Sequence, residues 1–91
     1  MKIEIPTTLR AFAGNQASIS VHANTVSQAL TSLMDQFPDF RKHLYTGDGK
    51  LRSFVNLYLN DDDVRYLPQR EETEVGENDT LSIIPSIAGG C

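Results

Sequence analysis

The sequence predicts an α+β fold in which a mixed sheet of four to five strands carries one main helix across one face. Three observations support this prediction. Several short segments alternate apolar and polar residues, one longer stretch has apolar residues at helical spacing, and the last strand is rich in β-branched residues. A length of 91 residues with 40% hydrophobic content suits a single domain around one core.

The first two strands are predicted to form a β-hairpin. The segment Lys2–Thr8 alternates until Pro6, where the strand either ends or bulges. The segment Ala17–His22 alternates again, and Gly14 and Asn15 between the two segments tolerate the positive φ of a turn. The residues expected on the apolar face are Ile3, Ile5, Leu9, Phe12, Ile19 and Val21.

The clearest helix follows this hairpin. Thr25 and Gln28 form a T-x-x-Q capping box, in which each side chain can satisfy the other residue's backbone N–H. Pro38 disfavours a helical conformation at Phe37 and so ends the element. The apolar stripe that is expected to cover the sheet consists of Val26, Ala29, Leu30, Leu33, Met34 and Phe37.

The segment 39–52 is polar, and we expect a short helical turn followed by a loop around residues 47–49. The segment Phe54–Leu59 returns to strand alternation. Its predicted core-facing residues are Val55, Leu57 and Leu59, and its outward-facing residues are Phe54, Asn56 and Tyr58.

Residues 60–79 are mostly polar. A turn is expected at 60–62 and a brief extended piece at 64–66, and an acidic loop at 71–79 is expected to hold Val75 inward. The run of three aspartates at 61–63 lacks the alternate-position ligands and internal glycine of a calcium loop. It is therefore predicted to be a solvated turn rather than a cation site.

The chain ends in the sequence T-L-S-I-I-P-S-I-A-G-G-C. Leu81 and Ile83 alternate with polar residues as in a half-buried strand, and Pro85 cannot donate to a ladder, so the strand is expected to be over there. We predict a folded domain over residues 1–87 and a flexible tail over residues 88–91. A stretch without bulky side chains can thread a narrow channel and be the substrate of another enzyme.

The order strand, strand, helix, strand, strand limits how the sheet can be assembled. Placing the last strand beside the first, in parallel, puts two of the most apolar segments at the centre of the sheet. The result is the β-grasp arrangement, with a helix across one face and the other face open to solvent or to a partner.

Composition and charge exclude several classes of function. The net charge is −4, and eight of the twelve acids lie between Asp61 and Asp79, whereas Arg41, Lys42, Lys50 and Arg52 come before them. This sorting of charge disfavours nucleic acid, which needs a basic face, and suits docking on a protein partner. We expect no membrane span and no signal peptide, a cytoplasmic location and a monomer when free. One cysteine and two isolated histidines offer no metal spacing, and no catalytic constellation is recognisable, so the domain is predicted not to be an enzyme by itself.

The chain resembles ubiquitin-like sulfur-carrier proteins of the MoaD and ThiS kind over essentially its whole length. The residues that carry the resemblance are the ending T-L-S-I-I-P-S-I-A-G-G and the stretches I-P-T-T-L-R at Ile5–Arg10 and F-V-N-L-Y-L-N-D-D-D-V-R at Phe54–Arg65. Within that family the chain is most similar to CysO-type carriers. The fold implied is the ubiquitin-like β-grasp.

The resemblance implies a carrier cycle centred on Gly90. A ubiquitin-activating-like adenylyltransferase would adenylate the Gly90 carboxylate with ATP, and a sulfur donor would convert it to a thiocarboxylate. The domain itself would bind no cofactor. Ala88, Gly89 and Gly90 would thread the partner's active site, and the sulfur would pass to a biosynthetic enzyme such as a cysteine-synthase-like protein. The residues expected to dock on partners are Tyr58, Ile84, Pro85 and Ile87.

Cys91 departs from the pattern of most of that family, because its peptide bond to Gly90 leaves that glycine without a free carboxylate. The leading hypothesis is removal by a JAMM-type zinc metalloprotease, with the processing site at Gly90 and Cys91. A second is that a cysteine on Gly90 is the product state of a CysO pathway. A third is an engineered addition or the beginning of a longer tail.

Two further functional hypotheses remain beside the sulfur carrier. One is a ubiquitin-like modifier that is conjugated through Gly90 to lysines of target proteins. The other is a β-grasp binding module whose tail has no role. For the carrier, the sequence leaves open cysteine, siderophore, thiamin and molybdopterin pathways as the destination of the sulfur.

Overall fold

In the computed structural model, the structure describes residues 1–49, 51–52 and 55–85. These residues form a five-stranded mixed sheet, helix α1 (Val26–Gln36) and the shorter helix α2 (Phe40–Leu44). The strands are β1 (Lys2–Glu4), β2 (Ser18–Ser20), β3 (Val55–Leu59), β4 (Asp62–Asp63) and β5 (Thr80–Pro85). Three short 3₁₀ helices in the described part of the chain span Thr7–Ala13, Val64–Tyr66 and Arg70–Glu72.

The predicted first hairpin is confirmed, but its connection is helical. β1 pairs antiparallel with β2, with Ile3 opposite Ile19. The chain leaves β1 before Pro6, and the 3₁₀ helix Thr7–Ala13 forms most of the connection to β2. That helix ends at Gly14, whose φ of 64° lies in the left-handed region that glycine adopts without strain.

Helix α1 begins as the sequence predicts, with one difference in its capping. The Thr25 side chain accepts a hydrogen bond from the Gln28 N–H at 3.1 Å. The Gln28 side chain, however, accepts from the N–H of Asn24 at 2.9 Å, one residue before the expected partner. The helix ends at Gln36, since Pro38 disfavours helix in the residue before it.

The apolar stripe of α1 packs on the sheet, as predicted. The fully buried residues of the helix are Val26, Ala29, Leu30 and Leu33. They share one core with the inward residues of the strands, namely Ile3, Ile19, Val55, Leu57, Leu59, Leu81 and Ile83. Helix α2, the expected short helical turn, adds the buried side chains of Phe40 and Leu44.

The extended piece predicted at 64–66 is wrong. β3 turns at Asn60, with φ of 57°, into the two-residue strand β4, and a 3₁₀ helix follows. The cause is Asp63, whose carboxylate accepts a hydrogen bond from the Arg65 N–H at 2.9 Å and so caps the helical turn. The Phe54 end of the predicted strand lies outside the described residues.

The placement of the last strand is confirmed. The sheet order is β2-β1-β5-β3-β4, with β5 parallel to β1 and antiparallel to β3. β5 runs one residue further than predicted, because Pro85 still lies opposite Val55 as its last paired residue. α1 covers one face of the sheet, and the other face carries Glu4, Tyr58, Ser82 and Ile84.

Two neighbouring isoleucines of β5 allow this packing to be tested. Ile83 is 2% exposed and Ile84 is 46% exposed, since consecutive strand residues point to opposite faces. Ile83→Ala is expected to lower the free energy of unfolding by about 2–4 kcal/mol through lost burial and a cavity. Ile84→Ala is expected to lower it by less than about 1 kcal/mol. Equal losses in urea unfolding would contradict the orientation of β5.

Candidate functional site

The candidate site is the end of β5, from which the chain continues toward the two final glycines. β5 lies between two partner strands, with Leu81 opposite Ile3 and Ile83 opposite Leu57. Leu81 and Ile83 are both buried, as the sequence predicts. Because the strand is held on both edges and on its inner face, the position at which it ends is fixed relative to the body.

The beginning of β5 is fastened by hydrogen bonds from two polar side chains. The Asp79 carboxylate accepts from the Gly76 N–H at 2.8 Å and from the Asn60 amide at 3.2 Å. The Asn60 side-chain oxygen accepts from the Thr80 N–H at 3.1 Å, and the Asn60 N–H donates to the Thr80 carbonyl at 2.7 Å. These bonds set the register in which β5 enters the sheet.

Two of the predicted docking residues lie on the open face of the sheet. Ile84 lies opposite Asn56, and Tyr58 lies opposite Ser82, so the two side chains occupy neighbouring rows of the same face. Tyr58 is half-buried, whereas Ile84 is one of the two large hydrophobic residues exposed among the described residues. A single exposed apolar side chain is normal on a protein surface, so the case for Ile84 as a docking residue depends on its position beside the end of β5.

The remaining predicted site residues have different outcomes. Pro85 is half-buried at the end of β5. Ile87, Ala88, Gly89, Gly90 and Cys91 lie outside the described residues. The roles assigned to them in docking, threading, activation and processing therefore stay predictions, as does the boundary between domain and tail.

Two grooves that the sequence did not reveal flank the end of β5. One has a volume of about 680 Å³ and is lined by Ile84, Pro85 and residues of the I-P-T-T-L-R stretch, including Arg10. The other has a volume of about 570 Å³ and joins Pro85 to Lys42 and Arg52. Both grooves depend on the 3₁₀ helix Thr7–Ala13, whose i, i+4 pair of buried residues, Leu9 and Ala13, was the available sequence signal.

The aspartate run at 61–63 is accounted for by structure. Asp61 and Asp62 are exposed, and Asp63 forms an ion pair with Arg65 at 3.1 Å. The hydrogen bonds from Arg65 lower the pKa of Asp63 below its ordinary value of 3.8. Across the described ranges no three His, Cys, Asp or Glu side chains are grouped so that they could hold a metal ion. In the same residues no helix is long and apolar enough to cross a membrane.

Comparison with known proteins places this site in a family context. Residues 3–90 match the ThiS family. The sulfur carrier protein CysO of Mycobacterium tuberculosis is 34% identical over 90 residues, covering 97% of this chain and 96% of the relative. Such relatives are carrier proteins rather than enzymes.

Solved structures agree with the observed fold. A chain in the crystal structure of a BexX/CysO complex from Amycolatopsis orientalis matches with a TM-score of 0.85 and 35% identity, over 98% of each chain. Small archaeal modifier protein 1 of H. volcanii matches with a TM-score of 0.72 and 25% identity, over 94% of this chain and 95% of that chain. The ubiquitin-like β-grasp fold predicted from the sequence is thereby confirmed.

The fastening of β5 predicts a specific response to acid. The hydrogen bond from the Gly76 N–H, and then that from Asn60, lowers the pKa of Asp79 below its ordinary value of 3.8. A carboxylate with a depressed folded-state pKa stabilises the fold above its unfolded pKa, and this stability is lost as pH falls through the folded value. Asp79→Asn should therefore lower Tm at pH 7, and the difference from the unsubstituted chain should shrink below about pH 3.8.

Thermal unfolding followed by circular dichroism between pH 2 and 7 measures this difference. Asp61→Asn is the matched control, because it removes one exposed carboxylate from the adjoining turn. A Tm difference for Asp79→Asn that stays constant down to pH 2 would contradict the role given to the Asp79 carboxylate.

Proposed function

The chain belongs to the ThiS family, and from that premise we propose that it is a sulfur carrier that acts through a thiocarboxylate at Gly90. The observation that carries the proposal is the extent of the family match. It runs from residue 3 to residue 90, so it includes the whole of β5 and both final glycines. The near full-length similarity to CysO, which is a sulfur carrier, supports the same function.

The proposed chemistry begins with hydrolysis of the Gly90–Cys91 peptide bond, because the Gly90 carboxylate does not exist before that bond is cleaved. A carboxylate oxygen then attacks the α-phosphate of ATP, which releases pyrophosphate and leaves an acyl adenylate. Hydrosulfide (HS⁻) next attacks the acyl carbon, forming a C–S bond as the C–O bond to AMP breaks, and loss of the S–H proton leaves the thiocarboxylate. The resulting thiocarboxylate passes its sulfur to an acceptor.

Each step requires a partner protein, and the body of the domain provides the surface for recognition. We assign processing to a JAMM-type zinc metalloprotease and activation to a ubiquitin-activating-like adenylyltransferase. The acceptor is a biosynthetic enzyme of the cysteine, siderophore, thiamin or molybdopterin type. The related CysO in complex with BexX shows that a carrier of this fold forms a complex with another protein.

The position of β5 supports a model in which partners recognise the body of the domain while the tail enters their active sites. The strand is anchored in the centre of the sheet, and Ile84 is exposed directly before the chain leaves it. A partner that contacts Ile84 on the open face would therefore hold the point from which the chain continues toward Gly90. From Pro85 to Gly90 an extended chain reaches on the order of 17 Å, enough to enter a cleft while the body docks outside.

Intact mass spectrometry tests the function. The full chain is incubated with host extract, ATP and a sulfide source, next to a variant in which Gly90 is replaced by Pro. The full chain is expected to lose Cys91 and then to gain the mass difference between one oxygen and one sulfur, in an ATP-dependent manner. Retention of Cys91 on every molecule, with no ATP-dependent change, would contradict the proposal.

The docking role of Ile84 gives a second prediction. Ile84→Ala should lower kcat/KM for thiocarboxylate formation by about tenfold, because loss of an apolar anchor costs about 1–2 kcal/mol of binding. Tyr66→Ala is the control, since Tyr66 is 82% exposed and lies next to Arg65 rather than at the end of β5. Equal rates for the two variants would remove Ile84 from the docking surface.

A modifier role is the second candidate, favoured by the similarity to the small archaeal modifier protein 1 of H. volcanii. In that role the activated Gly90 carbonyl would be attacked by a lysine amine of a target protein, giving an isopeptide bond. The two functions separate by product. Immunoblots of host lysate would show higher-mass conjugates for a modifier, whereas a carrier alone would yield thiocarboxylate on the free chain.

A further inference from the structure

The described surface is electrically divided along β5. Eight of the twelve acidic residues of the chain lie between Asp61 and Asp79, immediately before β5 begins at Thr80. The other end of the strand, Pro85, lines one groove with Lys42 and Arg52 and another with Arg10. The two ends of β5 are about 17 Å apart at the rise of an extended strand. A chain with a net charge of −4 thus has a basic end.

Four residues form this end, which we call the basic cluster: Arg10, Arg41, Lys42 and Arg52. Arg41, Lys42 and Arg52 line a common groove, in which Asp39 is the acidic residue, so three positive charges face one negative charge. On the other side of Pro85, Arg10 lines a groove together with Lys2 and Glu4. The groove of Arg41, Lys42 and Arg52 therefore carries the excess of positive charge. In the Arg10 groove, Glu4 offsets Arg10, and Lys2 lies opposite Thr80 at the other end of β5.

Local hydrogen bonds orient the cluster without neutralising it. The Arg52 Nε donates to the Lys42 carbonyl at 3.0 Å, and the Arg10 Nε donates to the Ile5 carbonyl at 3.1 Å. Carbonyl acceptors hold a guanidinium in place but do not cancel its charge. Among residues 1–49, 51–52 and 55–85, none of the four cluster side chains is within ion-pair distance of an acid, whereas Arg65 is paired with Asp63.

We propose that the basic cluster docks on an acidic surface of the adenylating enzyme, a proposal that rests on the proposed function. Charge complementarity favours this occupant, because Arg10 of the cluster lines the same groove as Ile84, and charged side chains beside an exposed apolar one resemble the polar rim of a protein interface. An acidic partner would repel the acidic end of the domain and attract the basic end. Its electric field would therefore orient the domain with the Pro85 end of β5 toward the partner. The same acidic end opposes binding to a nucleic acid.

The association rate of the full chain with the adenylating enzyme tests the proposal. The enzyme is isolated from the host by its ATP–pyrophosphate exchange in the presence of the unsubstituted carrier from which Cys91 has been removed, because the exchange requires a free Gly90 carboxylate. Lys42→Glu and Arg70→Glu are compared, since both positions are exposed and both substitutions change the net charge equally. Arg70 lies next to the acidic loop and outside the cluster.

Lys42→Glu is expected to slow association by about tenfold at roughly 50 mM salt and to approach the unsubstituted rate near 1 M salt, where charges are screened within about 3 Å. Arg70→Glu is expected to stay within about twofold at both salt concentrations. Lys42→Gln should give an intermediate loss, and the unfolding midpoint of each variant verifies that it is folded.

Other outcomes would overturn the proposal. Equal rates for Lys42→Glu and Arg70→Glu, or a loss that persists at high salt, would show that the cluster does not steer docking. Saturable NMR shifts of residues 41–44 on titration with inorganic phosphate at low millimolar concentration would make the cluster a small-anion site instead. If no carrier-dependent exchange activity exists, the proposed function itself fails and this proposal fails with it, an outcome distinct from equal rates.

Discussion

The pairing of β5 on both of its edges is the constraint on which the rest of the structure depends. The strand joins the β1–β2 pair to the β3–β4 pair, and its inner side chains, Leu81 and Ile83, are within the shared core. Without β5 the sheet would fall into two separate two-stranded ribbons, which are marginally stable by themselves. The element that leads to the two final glycines is therefore also the element that holds the fold together.

The same strand separates burial from recognition by its period of two. Leu81 and Ile83 face the helix, while Ser82 and Ile84 face the open side, where the Ser82 hydroxyl donates to the Glu4 carboxylate at 2.8 Å. A slip of one residue would expose Ile83 and bury Ile84. The exposure of Ile84 thus depends on the register of β5. The hydrogen bonds around Asn60 help to set that register, although they lie at the far end of the strand.

Much of the fold could be predicted because its signals are local. The capping box at Thr25, the stripe of α1 and the alternation of β5 each concern residues a few positions apart. The 3₁₀ helices could not be predicted from such local patterns. A single turn of three residues, such as Val64–Tyr66, has no distinct periodicity and depends on the cap that the Asp63 side chain provides. The grooves were not predictable, because one of them joins residues 8, 42, 52 and 85 from four separate parts of the sequence.

Pro85 connects these observations. Proline has no N–H, so at this position β5 cannot donate to a neighbouring strand, and the ladder loses a bond where the sheet should release the chain. Ile84 is exposed beside it, and Lys42 and Arg52 line the groove on its other side. A partner that recognises the body by apolar and basic contacts would therefore bind around the point of exit. Recognition of the body and presentation of the tail would then be one event, which is what a carrier that serves several enzymes requires.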